Sequence, residues 1–141
     1  MVSENEMEQT LAIIKPDAVR QKKVGAIITE IEANDFGIAQ VKRVDWKRND
    51  AAAFYEVHKQ RPFFHELAGF MCSGPIFVLL LEKEGAVDGW RELMGKTDPL
   101  LAAPGTIRRR FGASISENAV HGSDSHETAT REIRFFFGEG R

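Results

Sequence analysis

The 141-residue sequence predicts an α/β sandwich, in which helices pack on a β-sheet. Strand-like and helix-like segments alternate along the whole chain, with no repeat or low-complexity tract between them. The run Ile76 to Leu81 is apolar on both faces, which is typical of a central strand covered on two sides. The composition, 43% hydrophobic and 28% charged, is that of a globular protein with a real core. We therefore expect residues 1–141 to form a single domain.

The first segments alternate strand and helix. Thr10 to Ile14 predicts a short buried strand that ends at Lys15, because a residue that precedes proline avoids helical geometry. A helix follows and is expected to end within Asn34 to Gly37. Its apolar positions recur at helical spacing: Val24, Ile27, Ile28 and Ile31.

A second strand and a pair of short helices come next. Ile38 to Trp46 is rich enough in β-branched residues for a strand, and its imperfect alternation allows a bulge. Asn49 or Asp50 is expected to cap a helix that runs to about His58. Another short helix is expected after Pro62.

The second half of the chain continues the alternation. After the Ile76 to Leu81 strand, an amphipathic helix is indicated by its apolar positions: Ala86, Val87, Trp90, Leu93 and Met94. Gly95 to Arg110 has weak periodicity and predicts a long loop, a feature that is often functional. Asp124 and Glu127 have capping-box spacing and predict a final helix. The buried face of that helix is expected to carry Ala129, Ile133 and Phe136.

Charge and composition exclude several classes of function. The net charge of −2 provides no global basic field, so strong nucleic-acid binding is not expected. The longest apolar run, Ile76 to Leu81, is too short to span a bilayer. Met1 to Gln9 is polar and acidic, unlike a signal or transit peptide. Cys72 has no partner for an internal disulfide, which suits a reducing compartment. These features predict a cytoplasmic protein without a membrane partner.

The segment Asn118 to Ser125 is the best candidate for chemistry. His121 follows a short apolar step and precedes a glycine and small hydrogen-bonding residues, so we expect it at a chain turn. A neutral imidazole is a good nucleophile near pH 7, because the ordinary pKa of histidine is about 6.5. On the local pattern alone, a histidine without a chemical role is the favoured interpretation.

Cations elsewhere in the chain strengthen the case for a phosphate site. Lys15 directly follows a buried strand, which would direct it into a cleft. Arg91 lies near a helix end, and Arg108 closes the long loop. Arginine supplies a rigid fork of donors to phosphate oxygens. Sequence spacing alone does not decide whether Arg91 and Arg108 bind phosphate. Arg109 and Arg110 are interpreted as a solvated charge run.

The familiar phosphate-binding and hydrolase motifs do not occur in this sequence. It contains no Gly-x-x-x-x-Gly-Lys-Ser/Thr loop, no Gly-x-Gly-x-x-Gly and no Gly-x-Ser-x-Gly elbow. His121 and His126 lack a second ligand pair at the spacing of a metal site, so no protein-held metal is expected.

Several ordered segments resemble the nucleoside diphosphate kinase family from Glu8 to about Glu139. The family signature Asn-x-x-His-Gly-Ser-Asp corresponds to Asn118 to Asp124. Other matching segments follow the family order: Ile13 to Ala18, Arg61 to Phe64, Met71 to Pro75, and Pro104 to Arg108. The ending Phe136 to Gly140 resembles the bacterial branch.

This resemblance implies a fold and a reaction. The fold is a ferredoxin-like core, with a four-stranded antiparallel sheet and surrounding helices. The reaction is ping-pong transfer of the γ-phosphate from a nucleoside triphosphate to a nucleoside diphosphate, with His121 as the pros-phosphohistidine nucleophile. Glu132 matches the carboxylate that orients the imidazole, and Ser123 matches the residue that supports both. Mg²⁺ is implied as a cofactor held mainly through the nucleotide phosphates.

The resemblance also implies the nucleotide contacts. Arg91, Thr97 and Arg108 would hold the phosphates, and Lys15 and Asn118 would hold the sugar hydroxyls. Tyr55 would contact a phosphate near the histidine, while Phe63 and Ile115 would sandwich the base. Stacking needs no base-edge hydrogen bonds, so broad base specificity is expected.

The resemblance further implies a homo-oligomer, a tetramer or hexamer. The segment Leu100 to Ala103 is unexpectedly apolar, which is compatible with a subunit contact. Two other functions remain open: a regulatory relative without turnover, and a histidine phosphocarrier in a signalling relay.

Overall fold

The computed structural model describes residues 7–138, so the expectations for Met1 to Glu6 and for Glu139 to Arg141 lie outside the described residues. Four strands form one antiparallel sheet in the order β2-β3-β1-β4. Their bounds are β1 Met7–Ile14, β2 Gly37–Val44, β3 Ile76–Glu84 and β4 Val120–Gly122. β3 lies between two other strands, which confirms the prediction of a central strand at Ile76 to Leu81.

Helices pack on both faces of this sheet, and the antiparallel strand order confirms the ferredoxin-like α+β fold. In the described part of the chain they are α1 Pro16–Arg20, α2 Val24–Ala33, α3 Arg48–Phe54, α4 Phe64–Met71, α5 Ala86–Met94, α6 Ile107–Phe111 and α7 His126–Phe137. A 3₁₀ turn, Glu56–His58, follows α3. Within residues 7–138, no helix has the length and apolar character needed to cross a membrane.

The alternation of side chains in the central strands divides the core in two. Leu11 and Ile13 of β1 pack with buried residues of α3, α4 and α7. Ala12 and Ile14 point to the opposite face and pack with buried residues of α1, α2 and α5. Because consecutive strand residues face opposite sides, one strand contributes to both layers. The predicted buried face of the last helix, at Ala129, Ile133 and Phe136, is confirmed.

The details of β2 and α3 partly differ from expectation. The predicted bulge is confirmed, because the pairing register of β2 with β3 shifts between Ile38 and Gln40. The predicted cap at Asn49 or Asp50 is wrong, since α3 begins at Arg48 with Lys47 as its N-cap residue. Asp50 acts from inside the first turn, where its Oδ2 accepts from the Lys47 N–H at 3.0 Å.

Two further features of the sequence interpretation were wrong: the cap of the last helix and the long loop. The last helix is capped by Ser125 rather than Asp124, because Ser125 Oγ accepts from the Thr128 N–H at 3.0 Å. The segment predicted as one long loop contains α6, whose N-cap Thr106 accepts from the Arg109 N–H. A five-residue helix is too short to produce a readable apolar period. Arg108 is therefore held on a helix.

Candidate active site

His121 lies in strand β4 and not at a free chain turn, which corrects the sequence prediction. It pairs with Ile13 of β1, and its backbone oxygen accepts from the indole N–H of Trp90 at 3.2 Å. The imidazole is half-buried and packs edge-on against the rings of Phe54 and Tyr55, with centroid distances of 5.6 and 6.0 Å. A strand of three residues has too few positions to show alternation, so the sequence pattern did not reveal it.

A carboxylate fixes the orientation of the His121 ring. His121 Nε2 lies 3.0 Å from Oε1 of Glu132, and the hydroxyl of Ser123 donates to the same oxygen at 2.8 Å. Glu132 and Ser123 are both buried. A carboxylate only accepts hydrogen bonds, so this contact assigns the ring proton to Nε2. The Nδ1 atom then carries the lone pair available for attack.

Gly122 allows helix α5 to approach the strand that carries His121. A Cβ atom at this position would lie 2.4 Å from Trp90 Cδ1 and 2.6 Å from Met94 Cε. Met94 Cε is the end of a flexible side chain, but the Trp90 indole is rigid and fully buried, so the indole is the main obstacle to an added methyl. The glycine of the motif therefore has a packing reason in addition to any chemical one.

We predict that Gly122→Ala destabilises the protein by about 1–3 kcal/mol, because the added methyl overpacks the contact with Trp90. Denaturant unfolding of both proteins would measure the change. Gly25→Ala is the matched control, since a Cβ atom there meets no atom within 4 Å. Equal stabilities for Gly122→Ala and the parent would show that α5 can shift without cost.

Lys15 and Asn118 form a buried polar pair beside the same strand. Lys15 Nζ donates to Asn118 Oδ1 at 2.7 Å and to the Ser116 carbonyl at 3.1 Å. The Asn118 amide in turn donates to the Thr97 carbonyl at 3.0 Å. Burial lowers the pKa of Lys15 to about 8, and the charge of Asp17 opposes this shift. The burial of Lys15 agrees with a strand end that directs the side chain inward, but its placement in a cleft stays a prediction.

Arg108 links the loop after α5 to strand β4. Its guanidinium donates to the Gly95 carbonyl at 3.0 Å and to the Val120 carbonyl at 2.9 Å. Burial, and secondarily the charge of Arg91, lower the pKa of Arg108 to about 10. Arg91 itself lies 3.5 Å from the Asp124 carbonyl. Two guanidinium groups that repel each other in this way favour a bound anion, which would offset their charges.

An open depression of about 990 Å³ collects the predicted phosphate ligands. Arg91, Thr97 and Arg108 line it together with Lys96, whereas Asp88 and Glu92 add carboxylates to the same wall. His121 is not among the residues that line it. Arg108 connects the two regions, because it also holds the Val120 carbonyl next to the histidine.

The remaining predicted nucleotide contacts differ in exposure: Phe63 and Ile115 are exposed, whereas Tyr55 is buried. Phe63 is 44% exposed and Ile115 is 61% exposed. Tyr55 is buried, and burial raises the pKa of its hydroxyl. Ring contacts connect Tyr55 to His58 and His58 to Phe63, with centroids 6.4 and 5.7 Å apart. No contact described within residues 7–138 joins Phe63 to Ile115.

The neighbouring Arg109 and Arg110 are exposed, as expected for a solvated charge run, although each makes a contact. Arg109 donates to the Leu100 carbonyl at 2.9 Å, and Arg110 lies 2.6 Å from Glu30 in an exposed ion pair. Sequence reasoning also missed two residues that touch His121 or its support, namely Trp90 and Phe54. Trp90 was expected only as an apolar position of its helix and Phe54 was not singled out, so only their three-dimensional contacts distinguish them.

Comparisons with known proteins agree with this arrangement. The family model described as nucleoside diphosphate kinase matches residues 8–141. The nucleoside diphosphate kinase of Nitratiruptor sp. is 57% identical over 133 residues, which cover 94% of this chain and 97% of that protein. That of Wolinella succinogenes is 58% identical over 131 residues, which cover 93% and 96%.

Solved structures give the same result at the level of the fold. The nucleoside diphosphate kinase of Aquifex aeolicus superposes with a TM-score of 0.93 at 42% identity, covering 95% of this chain and 96% of that one. The enzyme from Encephalitozoon cuniculi superposes with a TM-score of 0.90 at 36% identity, covering 94% and 90%. This chain therefore belongs to the nucleoside diphosphate kinase family of phosphotransferases.

Proposed function

We propose that this chain transfers the γ-phosphate of a nucleoside triphosphate to a nucleoside or deoxynucleoside diphosphate through a phosphohistidine on His121. The observation that carries the proposal is the contact of His121 Nε2 with Glu132 Oε1, an oxygen that also accepts from the Ser123 hydroxyl. This contact holds the ring and leaves Nδ1, the pros nitrogen, as the nucleophile. Family membership supplies the substrate class.

In the first half-reaction, the Nδ1 lone pair forms a bond to the γ-phosphorus. The bond between that phosphorus and the β–γ bridging oxygen breaks, and the nucleoside diphosphate leaves with the electron pair. The ring becomes positively charged while Nε2 keeps its proton, and the Glu132 carboxylate stabilises that charge. A second nucleoside diphosphate attacks the phosphohistidine in the reverse step, so donor and acceptor share one site in a ping-pong cycle.

Charges around the site would hold the phosphates and the sugar. Arg91 and Arg108 supply fixed cations for the phosphate oxygens, and Thr97 lines the same depression. Lys15 and Asn118 are already paired and would present donors to the sugar hydroxyls. Tyr55 lies beside the His121 ring, where its hydroxyl would contact the phosphate in transfer.

Mg²⁺ fits this site as part of the bound nucleotide. Among residues 7–138, no group of three His, Cys, Asp or Glu side chains is arranged to hold a metal ion. The ion would therefore be held mainly by the phosphates, where it neutralises charge on their oxygens. Arg91 and Arg108 would share the same phosphates from the protein side.

The proposed site recognises a base by stacking. The exposed apolar faces of Phe63 and Ile115 would bracket it, and every base offers a stacking face. Recognition by stacking, phosphate and sugar contacts gives broad specificity, because no hydrogen bond distinguishes one base edge from another.

We predict that Phe63→Ala raises KM for nucleoside diphosphates about tenfold and changes kcat much less. Stacking contributes about 1–3 kcal/mol and serves the ground state and the transition state alike. Steady-state kinetics with a purine and a pyrimidine diphosphate would measure both constants. Phe63→Trp retains the aromatic face and should keep KM near the parental value. A loss confined to kcat would contradict the stacking role.

We predict that kcat/KM falls as the pH rises through about 8. The pKa of Lys15 in the free protein is about 8, so the lysine carries its charge below that pH and loses it above. Since kcat/KM reports groups in the free enzyme, its profile from pH 7 to 9.5 should reveal this loss. Lys15→Gln should be less active and lack the step. A parental profile that stays flat to pH 9.5 would contradict the predicted loss of the Lys15 charge in this range.

The proposed function is tested by trapping the intermediate. The purified protein is mixed with ATP labelled at the γ-phosphate, separated from nucleotide, and then mixed with unlabelled deoxynucleoside diphosphate. We expect acid-labile label that maps to His121 and moves quantitatively into deoxynucleoside triphosphate. Protein that takes up no label would be a regulatory relative. Label that passes only to a protein acceptor would indicate a phosphocarrier.

We further propose that the chain, one domain over residues 1–141, works as a cytoplasmic homo-oligomer, a tetramer or hexamer. Leu100 and Leu101 are 78% and 67% exposed, and such large apolar side chains favour a subunit contact. The lone Cys72 suits a reducing compartment. Mass measurement in solution, repeated with Leu100→Asp, tests the assembly, and a monomeric parent would exclude it.

A further inference from the structure

A strained backbone turn directly precedes His121. Ala119 has a φ of +77°, in the left-handed region that residues other than glycine rarely adopt. The Val120 N–H donates to the Asn118 carbonyl across it at 2.9 Å, which makes a three-residue γ-turn. This type of γ-turn is rare and strained, and it persists only where the surrounding structure holds it.

The chain around α1 holds both polar backbone groups of Ala119. Its N–H donates to Asp17 Oδ2 at 3.0 Å, and its carbonyl accepts from the Lys15 N–H at 2.9 Å. Ala119 and Asp17 are both buried, so water does not replace either contact. The Asp17 carboxylate is thus the side-chain group that binds the turn by a hydrogen bond.

The turn also connects the proposed ligands of the nucleotide. On one side, Asn118 pairs with the Lys15 ammonium through its side chain. On the other side, the Val120 carbonyl accepts from Arg108, and His121 follows. A change in the backbone at Ala119 would move these groups relative to one another.

We propose that Asp17 is a positioning residue, which holds the Ala119 turn and thereby sets the alignment of His121 with the nucleotide ligands. The inference rests on the proposed function of His121. This role would explain why a carboxylate is buried at position 17, although its burial does not favour stability. Asp17 Oδ1 is buried without a hydrogen-bond partner among the described residues, and such an atom destabilises the fold.

Two variants separate this role from the effect of the Asp17 charge on Lys15. Asp17→Ala removes the acceptor and the charge. Asp17→Asn removes the charge but keeps a carbonyl oxygen that can accept from the Ala119 N–H. A charge effect would appear in both variants, whereas a positioning effect would appear mainly in Asp17→Ala.

The readout is the rate of His121 phosphorylation by two donors, ATP and phosphoramidate, well below the unfolding temperature of each variant. ATP must be aligned by the nucleotide ligands, but phosphoramidate is small and needs no such alignment. We expect Asp17→Ala to slow phosphorylation by ATP about 10- to 100-fold, because small misplacements of reacting groups have effects of this size. Phosphoramidate should react within about threefold of the parental rate, and Asp17→Asn should stay within about fivefold with both donors.

Three results would overturn the inference. The first is that Asp17→Ala reacts with ATP at the parental rate. The second is that Asp17→Ala loses the same factor in rate with ATP and with phosphoramidate. The third is that Asp17→Asn reacts as slowly as Asp17→Ala. If Asp17→Ala does not fold, Asp17→Ser carries the same expectations, since its hydroxyl is too short to replace the carboxylate. Failure of parental His121 to accept label from ATP would refute the proposed function, and the inference with it.

Discussion

Replacing His121 with alanine is expected to reduce phosphoryl transfer by about 10⁴-fold or more, because it removes the atom that forms the bond to phosphorus. Loss of a covalent nucleophile from an enzyme has effects of this order. The fold should survive, since the imidazole is half-buried and its contacts are mainly with Glu132 and two aromatic rings. Two measurements check the prediction: the coupled rate with a deoxynucleoside diphosphate, and acid-labile label after exposure to ATP.

His126→Ala is the matched control for this variant. His126 lies five positions along the chain, at the first residue of α7, and its side chain is 75% exposed. Its ion pair with Glu8 spans 3.6 Å and contributes little at the surface. We expect parental turnover and full labelling. Substantial turnover in His121→Ala, or lost turnover in His126→Ala, would show that the nucleophile is assigned wrongly.

The sequence predicted the framework of the fold better than its short elements. The central strand at Ile76 to Leu81 shows a continuous apolar run and the last helix shows a helical period, and both predictions were confirmed. Strand β4 and helix α6 have three and five residues, so the pattern could not reveal them. The caps at Lys47 and Ser125 were missed by one to three positions, because several neighbouring polar residues could each have served.

The residues of the candidate site also differ in how well the sequence predicted them. Lys15 could be placed by local reasoning, since a buried strand followed by proline leaves few directions for its side chain. The role of His121 could not be predicted in this way, because the local pattern favours a histidine without a chemical role, and only its resemblance to a family signature distinguished it. The contacts of Asp17 and Trp90 join residues that lie 102 and 31 positions apart in the chain. Contacts of that range depend on the assembled sheet, and no local signal in a single sequence predicts them.

Replacing Arg108 with alanine is expected to lower kcat/KM by about 10²- to 10³-fold, the effect of removing one fixed donor that stabilises transition-state charge. The change would remove a cation from the proposed phosphate site. It would also leave the carbonyls of Gly95 and Val120 without the donor that joins the loop to the His121 strand. Arg108→Lys retains the charge but offers no rigid fork, so it should recover only part of the loss.

Arg110→Ala is the matched control, because it lies on the same short helix and carries the same charge. Its guanidinium is exposed and pairs with Glu30 away from the depression. An exposed pair of this kind contributes about 0–1 kcal/mol to stability, and its loss should leave kcat/KM within about twofold of the parent. If Arg108→Ala and Arg110→Ala lose activity equally, the effect belongs to the overall charge of α6. A specific loss in Arg108→Ala, with an unfolding midpoint near that of Arg110→Ala, would place the Arg108 guanidinium on the transferring phosphate.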